Sequence, residues 1–293
     1  MVRKIFLSLV LFFLFGCVAP STTFEELDQS QIDEAIAIIK NTELAKPVER
    51  SRKESVILVE NIIEKITPAA NQWCEENNVP KARCSWKVNY LDDDMFNAFA
   101  SGRNTITYTK GLMNGVASEE EVAFVIAHEI AHHLGNHIAN AQRNSLLGSL
   151  AGRILGTVVD GSDDLISQTT DLGARFGSLV FSRDQEKEAD YFSLIILNNS
   201  GYDLLEARNI IIRMAQRSER EDRSSFFDTH PTGPERLASF NIKTSILDFF
   251  QRISNYEARL KKHFRGYPEH IEYCSKTFYN SDLQAIRMRV KPI

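Results

Sequence analysis

The chain is poor in residues that break or staple a backbone, with 14 Gly, 8 Pro and 4 Cys in 293 residues. That scarcity excludes a collagen-like fibre and a Pro/Gly-rich disordered tail, and four cysteines are too few for a disulfide scaffold. No long Lys/Arg run occurs, and 34 basic against 39 acidic residues leave a net charge of −5. This acidic balance argues against nucleic acid as a partner. The N-terminal apolar run Ile5–Phe15, interrupted by Ser8, covers eleven residues. That is short of the roughly 20 needed to span a bilayer. No internal repeat is present. The remaining composition, 43% hydrophobic and 25% charged, suits one or two globular domains with a real core.

Arg3 and Lys4 precede the apolar run, and Leu14-Phe15-Gly16-Cys17 closes it. The pattern resembles a bacterial lipoprotein signal, although Phe15 is bulkier than usual at its position. The expectation is a signal peptide over residues 1–16, lipid on Cys17, and anchorage at the periplasmic face of the membrane. Val18 in the next position points to the outer membrane. Export would place the other cysteines in an oxidising compartment. Cys74 and Cys84 flank a polar, turn-rich stretch and are candidates for a local bridge, with Cys274 left over and the connectivity open.

Apolar residues at helical spacing mark helices over Phe24 to about Lys40 and Val56 to about Trp73. Period-two alternation then marks strands at Trp86–Tyr90 and Thr105–Thr109, with Asn97-Ala98-Phe99-Ala100 between them. Ser118 opens a helix running to about Gln142, with Glu121 placed to complete a capping box. Residues 145–177 read as a flexible helical excursion too rich in Asp and Arg to span a membrane. Helices follow over Arg183 to about Asn199 and Leu204 to about Gln216.

The chemistry is concentrated in His128-Glu129-Ile130-Ala131-His132. Residues four apart share a helix face, so both imidazoles can reach one metal ion. Glu129, at the edge of that face, can act on a metal-activated water without being a ligand. A catalytic zinc needs a third protein ligand. Gly135 fits the metzincin spacing, but the required position holds Ile138, with His137 one residue early and pointing nearly opposite His128 on a continuous helix. His133 is also rotated off the metal face. A later helix offers Glu186 and Asp190 on one face, with Glu188 projecting away. Glu186 can ligate, while Asp190 accepts a hydrogen bond from a ligand histidine and fixes its tautomer. Tyr191 reads as a packed aromatic.

At this point the sequence resembles the zinc metallopeptidases typified by HtpX, BepA and the CAAX prenyl protease. The zinc helix and Ser182–Asp190 match the two metal motifs of that family. Asn97-Ala98-Phe99, Thr109-Lys110-Gly111-Leu112 and Thr229-His230-Pro231 with Arg236 match further segments, over roughly residues 55–240. The membrane-spanning hairpins of HtpX and the CAAX protease have no counterpart.

The resemblance implies an α+β, mainly helical zincin with a small sheet beside its active helix. One Zn2+ would be held by His128, His132 and Glu186, with Glu129 as catalytic base. Asn97, Ala98 and Phe99 would align an extended substrate. His230 would be either a fourth metal ligand that keeps the enzyme latent or an oxyanion donor. Implied domains are a tether and helix over 17–50, a peptidase domain over 51–242 and a helical extension over 243–293. Expected partners are protein or peptide substrates and, through the lipid, a membrane. The implied role is quality control of envelope proteins, against an alternative role as a holdase or assembly factor.

Overall fold

The structure, a computed structural model, describes residues 27–159, 162–178, 181–219, 230 and 233–263. Helices α1 (Gln29–Asn41) and α2 (Arg52–Glu76) lead the chain. Both open on reciprocal capping boxes, Asp28 with Gln31 and Ser51 with Glu54. Each box satisfies N–H groups that a helix start leaves without partners. The stripe Val59, Ile62, Ile66 and Ala70 faces the core. A disulfide between Cys74 and Cys84 ties the end of α2 to the short 3-10 turn Lys81–Arg83.

Strands β1 (Lys87–Leu91), β2 (Ala98–Ser101) and β3 (Thr105–Thr109) form one sheet in the spatial order β1-β3-β2. The central β3 runs parallel to β1 and antiparallel to β2, with Ala98 opposite Tyr108 and Phe99 opposite Thr107. Thr109 N–H donates to Asn97 O at 3.1 Å. The antiparallel alternation therefore turns the main-chain groups of Phe99 and Ser101 towards β3, and those of Ala98 and Ala100 away from it.

After α3 (Lys110–Gly115) comes the central helix α4 (Glu119–Leu134), packed against α2, α7 (Arg183–Asn199), α8 (Leu204–Glu219) and β2. Only half of the expected capping box forms: Ser118 accepts from Glu121 N–H. The Glu121 carboxylate instead accepts from Ala117 N–H and from Arg213 Nε and Nη2, at 2.8, 3.1 and 2.9 Å. A charge-assisted, two-pronged contact with a buried guanidinium outweighs one backbone donor.

The helix also stops earlier than its pattern suggests. Asn136, at φ +58°, breaks it, and a separate helix α5 (His137–Val159) begins beyond. α5 pairs with α6 (Asp163–Ser178) as a helical hairpin, the form taken by the excursion read from the sequence. α7 starts on a Ser182–Gln185 capping box. The last described element is α9 (Pro234–His263). Residues Glu26–Ser245 make one compact unit, whose end falls inside α9.

The result is a mainly helical α+β fold with one small mixed sheet. No described helix is long and apolar enough to cross a membrane. The expected signal segment, Cys17 and Cys274 lie outside the described residues.

Candidate metal centre

Two helices and a loop converge at the heart of the unit. α4 contributes His128 and His132 one turn apart, α7 contributes Glu186, and His230 lies in the connection before α9. One donor atom from each residue lies within 4.8 Å of all the others, and all four residues are buried. The His128 and His132 Nε2 atoms are 3.0 Å apart. Glu186 Oε2 is 3.3 Å from the former, and Glu186 Oε1 is 3.4 Å from the latter. His230 Nδ1 lies 2.9 Å from Glu186 Oε1 and 3.3 Å from His128 Nε2. Metal–donor bonds of about 2.1 Å in a tetrahedron put donors about 3.4 Å apart. The observed separations of 2.9–3.4 Å are close to that figure.

Asp190, one helical turn beyond Glu186, places Oδ1 3.0 Å from His128 Nδ1, the nitrogen turned away from the donors. Asp190 is gripped by Arg236 of α9, whose Nε and Nη2 donate to its two oxygens at 2.8 and 2.7 Å. Arg236 Nη1 also comes within 3.2 Å of Glu186 Oε2. Burial alone would raise both carboxyls. The positive charges of Arg236 and His128 reverse this for Asp190, and His230 joins them to hold Glu186 well below the usual carboxylate range. Burial pushes His132 well below the ordinary imidazole value, so it presents a neutral ring. Burial acts the same way on His128, but Glu186 and Asp190 overcome it and carry that ring up to about 9. A metal ion would compete with this proton for Nε2.

Glu129 is wholly buried, and neither of its oxygens has a hydrogen-bond partner among the described residues. His230 Nε2 lies 3.5 Å from Glu129 Oε1. A dry, unpartnered carboxylate costs several kcal/mol, on the order of a lost charged hydrogen bond or more. An ion with its water at the donor cluster would satisfy it. Three imidazoles and a carboxylate with short separations are also the donor set that zinc prefers.

His137 corrects the reading from helical periodicity. Extrapolating 100° per residue from His128 assumes one continuous helix, and the break at Asn136 cancels that assumption. The His137 ring folds back so that its Nδ1 is 3.0 Å from His132 Nδ1, the nitrogen facing away from the donors. His137 is therefore not a ligand in this arrangement, but it is in contact with one. Glu188 does project away from the donors, and its Oε2 lies 3.0 Å from His137 Nε2. His133 Nε2 lies 3.4 Å from Thr105 O of β3. Phe181, which nothing in the sequence singles out, stacks on the His132 ring with centroids 3.9 Å apart. Asn97 and Ala98 are buried and Phe99 half-buried, on the β2 edge. Tyr191 packs beside Phe192.

The profile of Peptidase family M48 matches residues 59–242. Over 172 residues the chain is 30% identical to the "Mitochondrial metalloendopeptidase OMA1" of Arabidopsis thaliana, covering 58% of this chain and 34% of the relative. A "Protease HtpX homolog" of Bacteroides fragilis is 36% identical over 97 residues, 32% of this chain and 26% of its own length. A second protein named OMA1, from Schizosaccharomyces pombe, is 28% identical over 154 residues, with 52% and 44% covered. The chain thus spans less than half the length of each of these relatives.

Proposed function

The chain belongs to Peptidase family M48, and on that premise we propose that it is a zinc-dependent metalloendopeptidase. The observation that carries this reading is the convergence of His128, His132 and Glu186 beside the unpartnered carboxylate of Glu129. A bound zinc ion would supply Lewis acidity, polarising the scissile carbonyl and lowering the pKa of water towards about 7. His128 and His132 would hold it through Nε2, and Glu186 through its carboxylate. Asp190, fixed by Arg236, orients His128. Glu129 takes the proton of the attacking water and delivers it to the leaving amine as the peptide C–N bond breaks.

The substrate is an extended polypeptide laid along β2, where the outward main-chain groups of half-buried Ala100 are placed to pair with it. Asn97 and Phe99 brace that edge from the β3 side. An open cleft of about 450 Å³, lined by Gly102, Ile138 and Phe181 among others, receives a substrate side chain. Digestion of casein by the purified protein, abolished by a chelator and restored by zinc, tests the assignment. Chelator-resistant digestion would overturn it.

His230 acts as a latch in this reading. Its Nδ1 stands among the donors and its Nε2 faces Glu129, so one ring covers both the open metal position and the base. Replacing it with alanine then raises turnover, whereas loss of an oxyanion donor lowers kcat by roughly 10²–10³. The physiological substrates are misfolded or misassembled envelope proteins, met by an enzyme anchored through lipid on Cys17 at the periplasmic face of the outer membrane. The exported signal pattern ahead of Cys17 supports that location. Cys17→Ser moves the protein out of the membrane fraction, and unchanged fractionation counts against the anchor.

A further inference from the structure

The two histidines of α4 are served very differently on their far side. His128 Nδ1 meets a carboxylate directly, at Asp190. His132 Nδ1 meets another imidazole, that of His137, which in turn meets Glu188. α7 therefore sends out three carboxylates at alternate positions. Glu186 enters the donor cluster, Asp190 backs His128, and Glu188 reaches His132 at one remove.

With both rings neutral and Glu188 ionised, the proton inventory of this row has one consistent solution. For His132 to offer a lone pair at Nε2, its proton must sit on Nδ1. That N–H then donates to His137 Nδ1, which must carry a lone pair, so the His137 proton sits on Nε2 and donates to Glu188 Oε2. Every hydrogen bond in the row is satisfied only when Nε2 of His132 is free to bind an ion. The opposite tautomer of His132 would set two lone pairs against each other across 3.0 Å.

A second, independent feature shows that the backbone is shaped for this ring. Gly135 closes α4 with φ −71°, an ordinary conformation that any residue can adopt, so glycine is not required there by its torsions. A Cβ at that position, however, would stand 2.5 Å from His137 Nε2 and 2.8 Å from its Cε1. The missing side chain is the seat of the imidazole. The ring is also 2% exposed, so little water is at hand to replace Glu188 as its acceptor.

We propose that His137 and Glu188, seated by Gly135, are positioning residues that hold His132 in its metal-binding tautomer and orientation. The inference rests on the zinc reading above. Outer partners of this kind typically change metal affinity by about 10–100-fold. Zinc affinity of the purified full chain, measured by competition with a chromophoric chelator, is the readout, with the melting temperature of the metal-free protein alongside. Glu188→Ala, His137→Ala and Gly135→Ala should each weaken zinc binding by roughly 10–100-fold. Glu188→Gln keeps a carbonyl acceptor for the His137 N–H and should retain most of the affinity. The double variant H137A/E188A should lose no more than H137A alone, because both act through one row.

Cobalt substitution supplies a spectroscopic check, since a reoriented His132 shifts the visible absorption bands of the bound ion. Glu186→Ala separates the two claims. If that variant keeps full zinc affinity, the zinc reading itself fails. If it loses zinc while Glu188→Ala and Gly135→Ala bind within twofold of the parent, the relay is wrong. Additive losses in the double variant, or melting temperatures that fall in step with affinity, would likewise overturn it in favour of plain packing.

Discussion

α4 and α5 are separated by only two residues, yet they inhabit opposite environments. From Glu121 to Leu134 every residue of α4 is buried, including two glutamates and three histidines. α5 leaves large apolar side chains in the open, among them Leu146 at 61% and Val159 at 68% exposed. α4 is enclosed by a sheet edge and three helices, whereas α5 is paired chiefly with α6. Polar atoms can be held dry and in fixed geometry only where the surrounding backbone is over-determined. The chemistry accordingly sits on the crowded helix, and the hairpin begins where that crowding ends.

The sharpest way to break this comparison is to remove function from α4 without disturbing its packing. Glu129→Gln is nearly isosteric in a site with no exposure. It should keep zinc and the fold while proteolysis falls by about 10²–10⁴, the usual share of a general base. Casein turnover with parallel zinc analysis measures this, and near-normal cleavage would transfer the role to another group. Next in size is Arg236→Met. It strands Asp190 and Glu186 as buried carboxylates without their guanidinium. Breaking a buried pair from one side costs about 3–5 kcal/mol. Urea melts of the metal-free variant should show that loss, and zinc should recover part of it by neutralising Glu186. A variant as stable as the parent would mean that the carboxylates are relieved by water.

The same contrast explains what the sequence made legible. Helical spacing placed His128, His132, Glu186 and Asp190 correctly on their faces, because those residues lie within uninterrupted helices. A helical wheel misplaces His137, because a single left-handed Asn136 ends α4 and the wheel carries no record of such a break. Asn after Gly was the local signal available, since both favour helix ends. Glu121 failed to close its box because its true partner, Arg213, is remote in sequence. The Arg236 grip on Asp190 and the stacking of Phe181 on His132 are likewise long-range contacts that no local pattern encodes. The sequence marks a sheet edge at Asn97–Ala100, but which main-chain groups face outward follows only from the register with β3.

On the hairpin side, the tight point is the crossing of α5 and α6. A Cβ on Gly152 would stand 1.9 Å from Thr169 O, a backbone atom that cannot swing away. Gly152→Ala should therefore spread the two helices and cost about 1–3 kcal/mol locally. Amide exchange should quicken over residues 146–170 and leave α4 unchanged. Faster exchange in α4 as well would show that the two regions are mechanically coupled.

The smallest effect is expected on the open face of α5. Leu150 is 50% exposed, so replacing it with serine removes few native contacts. The folded state loses little burial, and serine is only a slightly poorer helix former than leucine. Such surface changes usually stay within about 0.5 kcal/mol. Leu150→Ser should accordingly melt within a degree or two of the parent, while a comparable truncation at fully buried Ile130 of α4 costs about 2–5 kcal/mol. Paired urea titrations of Leu150→Ser and Ile130→Ala measure the contrast directly. A large loss at Leu150 would mean that this face is covered in solution, and the difference drawn between the two helices would then have to be redrawn as one between two buried surfaces.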